Sequence, residues 1–281
     1  MIFSMRIAII ADIHGNLAAL EAALAEVAKL KPDRFIVAGD VVDGGPDSAA
    51  CWERVKALGC SVLRGNHERY VFDYGTPRAD PAWASPQFAP LRVALAELST
   101  AQKAEMSALP TSWSDAAAPG LLVVHASLRS DNDSIFPYSN DEQIDPMFPG
   151  IGDDVKVIVR GHNHFCSQRE WGARRIVTTG SVGLAQDGNT AAQFMVLERS
   201  SAGAWSARHR AVRYDVGATL RRFRESGYLE RAGPLGKLFY REVETATHQV
   251  VPFLRFYGAA RSRGLHWTLE DTLTRFLAVT G

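Results

Sequence analysis

Two histidines stand one residue apart in the segment VIVRGHNHFCSQ, directly after a strand-like run. His162 and His164 would point to the same side of the chain if the backbone stayed extended through them. Imidazole rings fit poorly in a hydrophobic core, and imidazole is the commonest metal ligand in proteins. The pair therefore suggests a metal-binding position at the end of a strand.

Four other segments place Asp, His or Asn directly after a β-like run. They are DIHGN (Asp12, His14), GDVVDGG (Asp40, Asp43), RGNHE (Arg64, Asn66, His67) and VVHAS (His125). Each segment alone has another reading, as a helix cap, a turn or a core histidine. Ligands of open α/β sheets gather beyond the carboxyl ends of the strands. The joint occurrence of all five segments therefore predicts one metal site.

The first quarter of the chain predicts alternating strands and helices, the pattern of parallel α/β layering. Strands are expected over 6–11, 34–40 and 60–66, and helices over 17–30, with Asn16 as the N-cap, and over 47–58. Residues 73–90 contain several prolines and are expected to form a loop or insertion. Two further helices are expected near 91–98 and 100–108.

Strands return in the second half, near 121–127, 155–162, 174–181, 192–198 and 205–214. They are not all separated by helices, which predicts antiparallel pairing and sheets of mixed strand direction with helices outside. Residues 217–279 are expected to be mostly helical. From residue 208 onward there are thirteen Lys or Arg against seven Asp or Glu. A solvated helical face explains this modest excess better than a nucleic-acid site.

The 281 residues are 46% hydrophobic and 22% charged with a net charge of +0, which is typical of a globular enzyme. Such a balance predicts no attraction to membranes or nucleic acids. Three cysteines without a paired framework indicate a reducing compartment. The apolar start of the chain reads as a buried strand and not as a signal peptide. We therefore expect a cytoplasmic protein, and the oligomeric state stays open.

The five segments together resemble the calcineurin-like metallophosphoesterases, whose pattern is D-x-H, G-D-x-x-D, G-N-H-[DE], a strand-end His and G-H-x-H. The resemblance covers residues 5–215 and is strongest to small enzymes with DIHGN and a later GSVG, here Gly180–Gly183. It implies a four-layer αββα sandwich of two mixed sheets. A catalytic domain would span 1–215, and a helical C-terminal extension over 216–281 would pack on it. LRGNHE is also similar to phosphoprotein phosphatases, but Gly44 stands where those enzymes carry arginine.

The resemblance also implies the role of each site residue. One metal would take Asp12, His14 and His164, the other would take Asn66, His125 and His162, and Asp40 would bridge both. His67 would protonate the leaving oxygen, and Asp43 would orient its ring unless Asp43 only closes a turn. Arg64 and Arg129 are candidates for a phosphate clamp, with a solvated surface as the alternative for Arg129. The mixed donors suit manganese, iron or zinc, and manganese is favoured.

The resulting hypothesis is a phosphodiesterase that cleaves small phosphodiester or nucleotide substrates by direct attack of a metal-bridging hydroxide. Diadenosine-polyphosphate hydrolysis and phosphoprotein phosphatase activity are the alternatives within this class. A nuclease that grips nucleic acid with its basic C-terminal helices is less favoured. A scaffold without turnover is disfavoured because no ligand position is broken. Arg160 is expected to point away from the metals, and Cys166 is expected to be a small buried hydrophobe and not a zinc ligand.

Overall fold

Two five-stranded β-sheets pack face to face, and helices cover their outer faces. The computed structural model describes residues 3–280. Residues 1, 2 and 281, which the predicted domains include, lie outside the described part. In chain order the strands are β1 (Phe3–Ile10), β2 (Arg34–Val37), β3 (Ser61–Val62), β4 (Ser112–Trp113), β5 (Leu121–Val124), β6 (Val157–Arg160), β7 (Cys166–Trp171), β8 (Arg174–Thr179), β9 (Ala192–Ser200) and β10 (Trp205–Val212).

The helices follow the predicted alternation in the first half and dominate the C-terminal region. They are α1 (Leu17–Leu30), α2 (Ser48–Lys56), α3 (Asn66–Asp73), α4 (Ala89–Glu97), α5 (Thr100–Ser107), α6 (Asp141–Ile144), α7 (Val216–Glu225), α8 (Tyr228–Thr245), α9 (Val250–Ser262) and α10 (Leu269–Thr280). Asn16 caps α1 as predicted, because its side chain accepts a hydrogen bond from the Ala19 N–H. Three short 3-10 turns complete the regular structure.

Both sheets contain parallel and antiparallel pairs, so the predicted fold class is confirmed. The first sheet has the order β10-β9-β1-β2-β3, with β1, β2 and β3 parallel and β9 antiparallel to both β1 and β10. The second has the order β4-β5-β6-β8-β7, with β5, β6 and β8 parallel and both edge strands antiparallel. The parallel strands in the middle of each sheet end near one another and carry the predicted site segments.

The continuous apolar run of β1 is explained by burial on both of its faces. Ile7 and Ile9 point into the layer between the two sheets, where they pack with Val123 and Val159. Ala8 and Ile10 point the other way, into the layer between the first sheet and α1. A third apolar layer covers the outer face of the second sheet. Four layers result, as the resemblance implies.

The structure differs from the predicted elements in several places, and it adds β4, β7 and α6 to them. The segment 73–90 is not one loop: α3 extends to Asp73, two 3-10 turns follow, and α4 begins at Ala89. Strand β7 was not predicted, because CSQREW lacks the apolar alternation of a half-buried strand. It is the edge strand of the second sheet, and most of its side chains are half-buried or exposed.

Two of the C-terminal helices pack on the preceding part of the chain, and α9 and α10 pack on α8. α7 contacts α1, and α8 contacts α4. Two ion pairs reinforce these contacts: Arg222 Nε donates to Asp47 Oδ1 at 2.7 Å, and Arg231 lies 3.6 Å from Glu97. A kink at Gly233 divides α8. The boundary near residue 215 stays a prediction.

Within residues 3–280, no helix combines the length and the apolarity that crossing a bilayer requires. The three cysteines, all in the described part, are unpaired.

Candidate metal centre

The predicted ligands converge beyond the carboxyl ends of the central strands. They form two groups that share one carboxylate, Asp40. The first group consists of Asp12, His14, Asp40 and His164, and the second of Asp40, His125 and His162. Asn66 adjoins the second group, with its amide 3.0 Å from both His125 Nε2 and His162 Nδ1. The structure thus brings all seven predicted ligands together.

The backbone that carries these side chains is strained. Eight described residues other than glycine have a positive φ, and six of them belong to the predicted site. These six are Asp12, His14, Asp40, Asp43, His162 and His164. At 69° and 58°, the φ values of His162 and His164 rule out the extended backbone considered from the sequence. The two rings consequently face different partners, Asn66 and His14.

Because glycine has no side chain, Gly161 and Gly65 let the backbone approach the carboxylates of Asp12 and Asp40 closely. A Cβ atom on Gly161 would lie 2.7 Å from Asp12 Oδ2, and one on Gly65 would collide with Asp40 Oδ1. The same approach allows two hydrogen bonds. The His162 N–H donates to Asp12, and the His67 N–H donates to Asp40 Oδ1 at 2.9 Å. Larger residues at these glycines would displace both carboxylates.

Backbone carbonyls orient two of the histidines. His14 Nδ1 donates to the Asp43 carbonyl at 2.9 Å, and His125 Nδ1 donates to the Ala38 carbonyl at 2.8 Å. Because a carbonyl only accepts, the Nδ1 atoms carry hydrogen and the Nε2 atoms face the cluster. This arrangement is how proteins usually fix metal-binding histidines.

The side-chain atoms that face the centre of the site are suitable ligands for divalent cations. His14 Nε2, whose lone pair is free because Nδ1 carries the hydrogen, lies 3.0 Å from His164 Nε2. His164 Nδ1 is buried without a hydrogen-bond partner. Asn66 Oδ1 also faces imidazole nitrogens, although the amide turned over would donate to Asp40, His125 and His162 instead. A divalent cation would accept lone pairs from these nitrogen and oxygen atoms. Mixed imidazole, carboxylate and amide ligands suit transition metals.

Protonation in this cluster is set by burial and by Asp40. Burial keeps the pKa of His14 and of His162 well below the usual value, so both rings are neutral and able to bind metal. Burial also lowers the pKa of His125, but the nearby Asp40 carboxylate outweighs it and raises the pKa to about 9. Despite its burial, Asp40 has a lowered pKa because of His125 and His67. His125 Nε2 and Asp40 Oδ2 lie 3.3 Å apart, and a cation bound by both would displace the proton between them.

His67 lies beside the cluster and not within it. Its Nδ1 donates to Asp43 Oδ2 at 2.9 Å, and its Nε2 is 4.0 Å from Asp40 Oδ2. Burial lowers the pKa of His67, but Asp40 and Asp43 outweigh it and raise the pKa to about 9. A protonated Nε2 at neutral pH can act as a general acid. The predicted pairing of His67 with Asp43 is present.

The two arginines predicted to clamp phosphate contact residues outside the two ligand groups, and the clamp stays a prediction. The Arg64 guanidinium covers the Phe72 ring at 5.6 Å. Arg129 is exposed and forms a two-pronged ion pair with Asp133, four residues along its own loop. Both arginines have local partners, and neither has a hydrogen bond to a predicted ligand among the described residues.

Arg160 is fully buried and points toward carbonyl groups and not toward the ligands, as expected. It donates to the carbonyls of Ala126 and Asp133 and to the Asn163 side chain. Asn163 Oδ1 also accepts from the Ile135 N–H at 3.1 Å. Arg160 and Asn163 thereby fasten the loop after β5 to the GHNH segment.

Cys166 contributes no ligand to either candidate group. Its thiol lies 3.3 Å from Gln193 Oε1, and burial raises its pKa to about 12. A thiol with such a pKa is a weak metal ligand at neutral pH.

Glu68 organises the site, although no role was predicted for it from the sequence. This fully buried carboxylate accepts from the N–H groups of Asp40, Val41 and Gly65 at 2.7 to 2.8 Å. It therefore joins the start of α3 to the loop that carries Asp40. The sequence did contain a signal, because glutamate at the third helical position commonly bonds back to the N-cap.

Replacing Glu68 with glutamine should lower the free energy of unfolding by about 2 kcal/mol or more. The new NH2 group would face backbone N–H groups that now donate to the carboxylate. Thermal unfolding followed by circular dichroism measures the change. The exposed Glu225→Gln serves as the control, expected within about 0.5 kcal/mol of the wild type. A Glu68→Gln protein that melts like the control would contradict this role.

The GSVG segment fastens the loop that carries Asp12. Ser181 Oγ donates to the Asp12 carbonyl at 2.7 Å, and the Gly183 N–H donates to the same carbonyl at 3.0 Å. The Val182 N–H donates to the Ala11 carbonyl. These bonds explain why a motif far along the chain accompanies DIHGN.

The sequence of residues 5–166 matches the calcineurin-like phosphoesterase family. Three curated relatives match over shorter segments. A 65-residue segment is 43% identical to the symmetrical bis(5'-nucleosyl)-tetraphosphatase of Chromohalobacter salexigens, covering 22% of this chain and 24% of that protein. A 75-residue segment is 39% identical to an uncharacterized protein of Methanocaldococcus jannaschii, covering 27% and 28%. A 77-residue segment is 31% identical to serine/threonine-protein phosphatase 1 of Salmonella typhimurium, covering 27% and 35%.

The chain thus spans between 24% and 35% of the length of these relatives. Two solved structures are similar over most of their length. A metallophosphoesterase from Sphaerobacter thermophilus has a TM-score of 0.66 at 23% identity, covering 86% of this chain and 99% of that one. A hypothetical protein from Pyrococcus horikoshii OT3 has a TM-score of 0.67 at 19% identity, covering 84% and 97%. At these identities the likeness concerns the fold.

Proposed function

Because this chain belongs to the calcineurin-like phosphoesterase family, we propose that it is a metal-dependent phosphoesterase, with small phosphodiesters or nucleotides as its substrates. The observation that carries the proposal is the pair of acceptor groups around Asp40, with the His67–Asp43 pair beside them. Asp12, His14 and His164 would hold one cation, Asn66, His125 and His162 the other, and Asp40 both. Manganese is the proposed ion, and the cytoplasm stays the predicted location.

Bound divalent cations would neutralise the negative charge of the phosphoryl oxygens and lower the pKa of bound water. The chain's own residues supply the proton. His67 Nε2 is positioned to give its proton to the leaving oxygen as the phosphorus–oxygen bond breaks. Asp43 holds the other ring nitrogen and stabilises the protonated ring until that transfer. None of the seven candidate ligands is a serine, cysteine or lysine, nor are His67 and Asp43, so we propose direct addition of water to phosphorus without a covalent intermediate.

Hydrolysis of dinucleoside polyphosphates is the second candidate. The observation that favours it is the 43% identity to the tetraphosphatase of C. salexigens over 65 residues. Phosphoprotein phosphatase activity is supported by a 31% identical segment. Phosphoprotein phosphatases carry arginine at the position of Gly44, and this difference argues against such an activity.

Chelation followed by metal return tests the proposal. Treatment with a chelator should abolish hydrolysis, and manganese should restore it. Activity should be measured on phosphomonoesters, phosphodiesters, dinucleoside polyphosphates and a phosphopeptide, each at low and high salt. Preference for small diesters with little salt dependence is expected, because the chain carries no net charge.

Three outcomes would contradict parts of this proposal. Hydrolysis that survives complete metal removal would exclude the metal centre. Preference for the phosphopeptide or the dinucleoside polyphosphate would replace the phosphodiesterase assignment. Cleavage of oligonucleotides that weakens steeply with salt would indicate a nuclease that uses the basic C-terminal helices.

A further inference from the structure

Three aromatic rings form a stack that runs from a predicted metal ligand to the surface. Phe165 directly follows His164, and its ring lies 6.0 Å from that of Phe136 at an interplanar angle of 20°. Phe136 in turn lies 5.2 Å from Tyr138, with the two rings within 1° of parallel. Tyr138 is 82% exposed, the largest value for a large hydrophobic residue in the described part of the chain.

The stack is fixed relative to the candidate metal centre. The Ile135 N–H donates to Asn163, which lies between the histidines of the GHNH segment. The rings of Phe136 and Phe165 therefore belong to two segments that are bonded to each other. The Asp12 carboxylate accepts from the backbone of the same GHNH segment, so the segment directly before Phe165 carries two of the predicted ligands.

The turn that presents Tyr138 is also held in place. The Phe136 N–H donates to Ser139 Oγ at 3.0 Å, and the Ser139 N–H donates to the Phe136 carbonyl at 3.0 Å. Arg169 donates to the Ser139 carbonyl and, at 2.6 Å, to Asp141. Pro137 restricts the backbone between the two rings. The exposed ring is consequently held in a fixed orientation without being buried.

We propose that the Tyr138–Phe136 stack binds a nucleobase of the substrate. This inference rests on the proposed function, because it adds a base to a phosphoester bound at the candidate centre. An open aromatic face stacks on any base, and such stacking is sequence-tolerant. A flat ring on a segment that is hydrogen-bonded to the ligand-carrying GHNH segment suits a nucleotide, which joins a planar base to a phosphate.

The surroundings of Tyr138 favour a small planar ligand over a protein. A stable protein interface buries about 800 Å² on each partner and has an apolar centre. Around Tyr138, by contrast, Pro137 and Asn140 are exposed and Ser139 is buried. One projecting ring provides a face for one base.

Kinetics with paired substrates test the proposal. Tyr138→Ala should raise KM for a dinucleoside phosphate roughly five- to 150-fold, the range that corresponds to the loss of one stacked base. The value of kcat should stay within about twofold. Tyr138→Phe should retain the wild-type KM, and KM for glycerophosphoethanolamine, a diester without a ring, should not change. Tyr257→Ala, which removes another stacked ring from the C-terminal helices, is the matched control.

Calorimetric titration of the manganese-loaded protein with adenosine monophosphate separates this proposal from the proposed function. A weaker affinity in Tyr138→Ala supports the base site even if no phosphoester is hydrolysed. Hydrolysis of nucleotides with unchanged KM and unchanged affinity in Tyr138→Ala would overturn the base site and leave the proposed function standing. Loss of a dimer in Tyr138→Ala without a change in KM or in affinity would overturn it in favour of contact between copies.

Discussion

Replacing Asp40 with asparagine is expected to remove bound metal and activity together, slowing hydrolysis by at least roughly a thousandfold. Asp40 is 1% exposed, and its Oδ2 lies 3.3 Å from His125 Nε2 and 3.8 Å from His14 Nε2. It is the one carboxylate common to both ligand groups. Asparagine keeps the shape and removes the charge, so neither cation would retain its shared ligand.

Elemental analysis of the purified variant and a turnover assay measure the two effects. In the metal-free protein, nuclear magnetic resonance should also show the pKa of His125 falling from about 9, because Asp40 is the group that raises it. Asp73→Asn is the matched control: Asp73 is another buried carboxylate, paired with Arg78 at 2.6 Å. An Asp40→Asn protein that keeps two equivalents of metal would refute the shared-ligand role.

Replacing His67 with asparagine should leave the metal content intact and slow hydrolysis about a hundred- to ten-thousandfold. The Nε2 atom of His67 faces the cluster, 4.0 Å from Asp40 Oδ2, and its Nδ1 atom donates to Asp43 Oδ2. The defect should shrink for esters of 4-nitrophenol, because such a leaving group departs without a proton. His209→Asn, which alters a histidine bonded to the Thr178 carbonyl at 2.7 Å, is the control. Equal defects on good and poor leaving groups would exclude the acid role.

The raised pKa of His67 also predicts how the stability of this variant should depend on pH. In the metal-free protein its pKa is raised from 6.5 to about 9, so the folded state favours the protonated ring. That contribution to stability is complete below pH 6.5 and is lost as the pH rises through about 9. Thermal unfolding of the metal-free wild type should therefore decline over this window. The decline should be smaller for His67→Asn, with the remainder due to His125.

The fold and the convergence of the ligands could be predicted because both depend on local order in the sequence. Each ligand follows a short apolar run, and parallel strands deliver such positions to one edge. The directions of side chains could not be predicted in the same way. The contact of the Arg64 guanidinium with the Phe72 ring, which α3 provides, is one that the sequence did not indicate. The role of Glu68 depends on three N–H groups from two separate loops.

Other differences have equally physical causes. Strand β7 lies at a sheet edge, where half-exposed residues give no alternating pattern. The turn Phe136–Ser139 lies near the ring of Phe165 because the preceding Ile135 N–H donates to Asn163, a contact between segments that the sequence does not reveal. Prolines suggested a loop over 73–90, yet prolines also begin both 3-10 turns in that segment.

At the site residues with positive φ, two effects of a substitution on stability can be measured separately. They are the loss of the ligand atom and the release of strain in the left-handed backbone. Each such residue other than glycine costs about 1 kcal/mol or more in conformational energy. At Asp12 or His14, alanine would delete the ligand atom and keep that cost, whereas glycine would delete the atom and release it. The difference in melting temperature between the two inactive proteins would measure how far folding opposes the geometry that cation binding requires. A chain evolving away from catalysis would gain stability at these positions by accepting glycine.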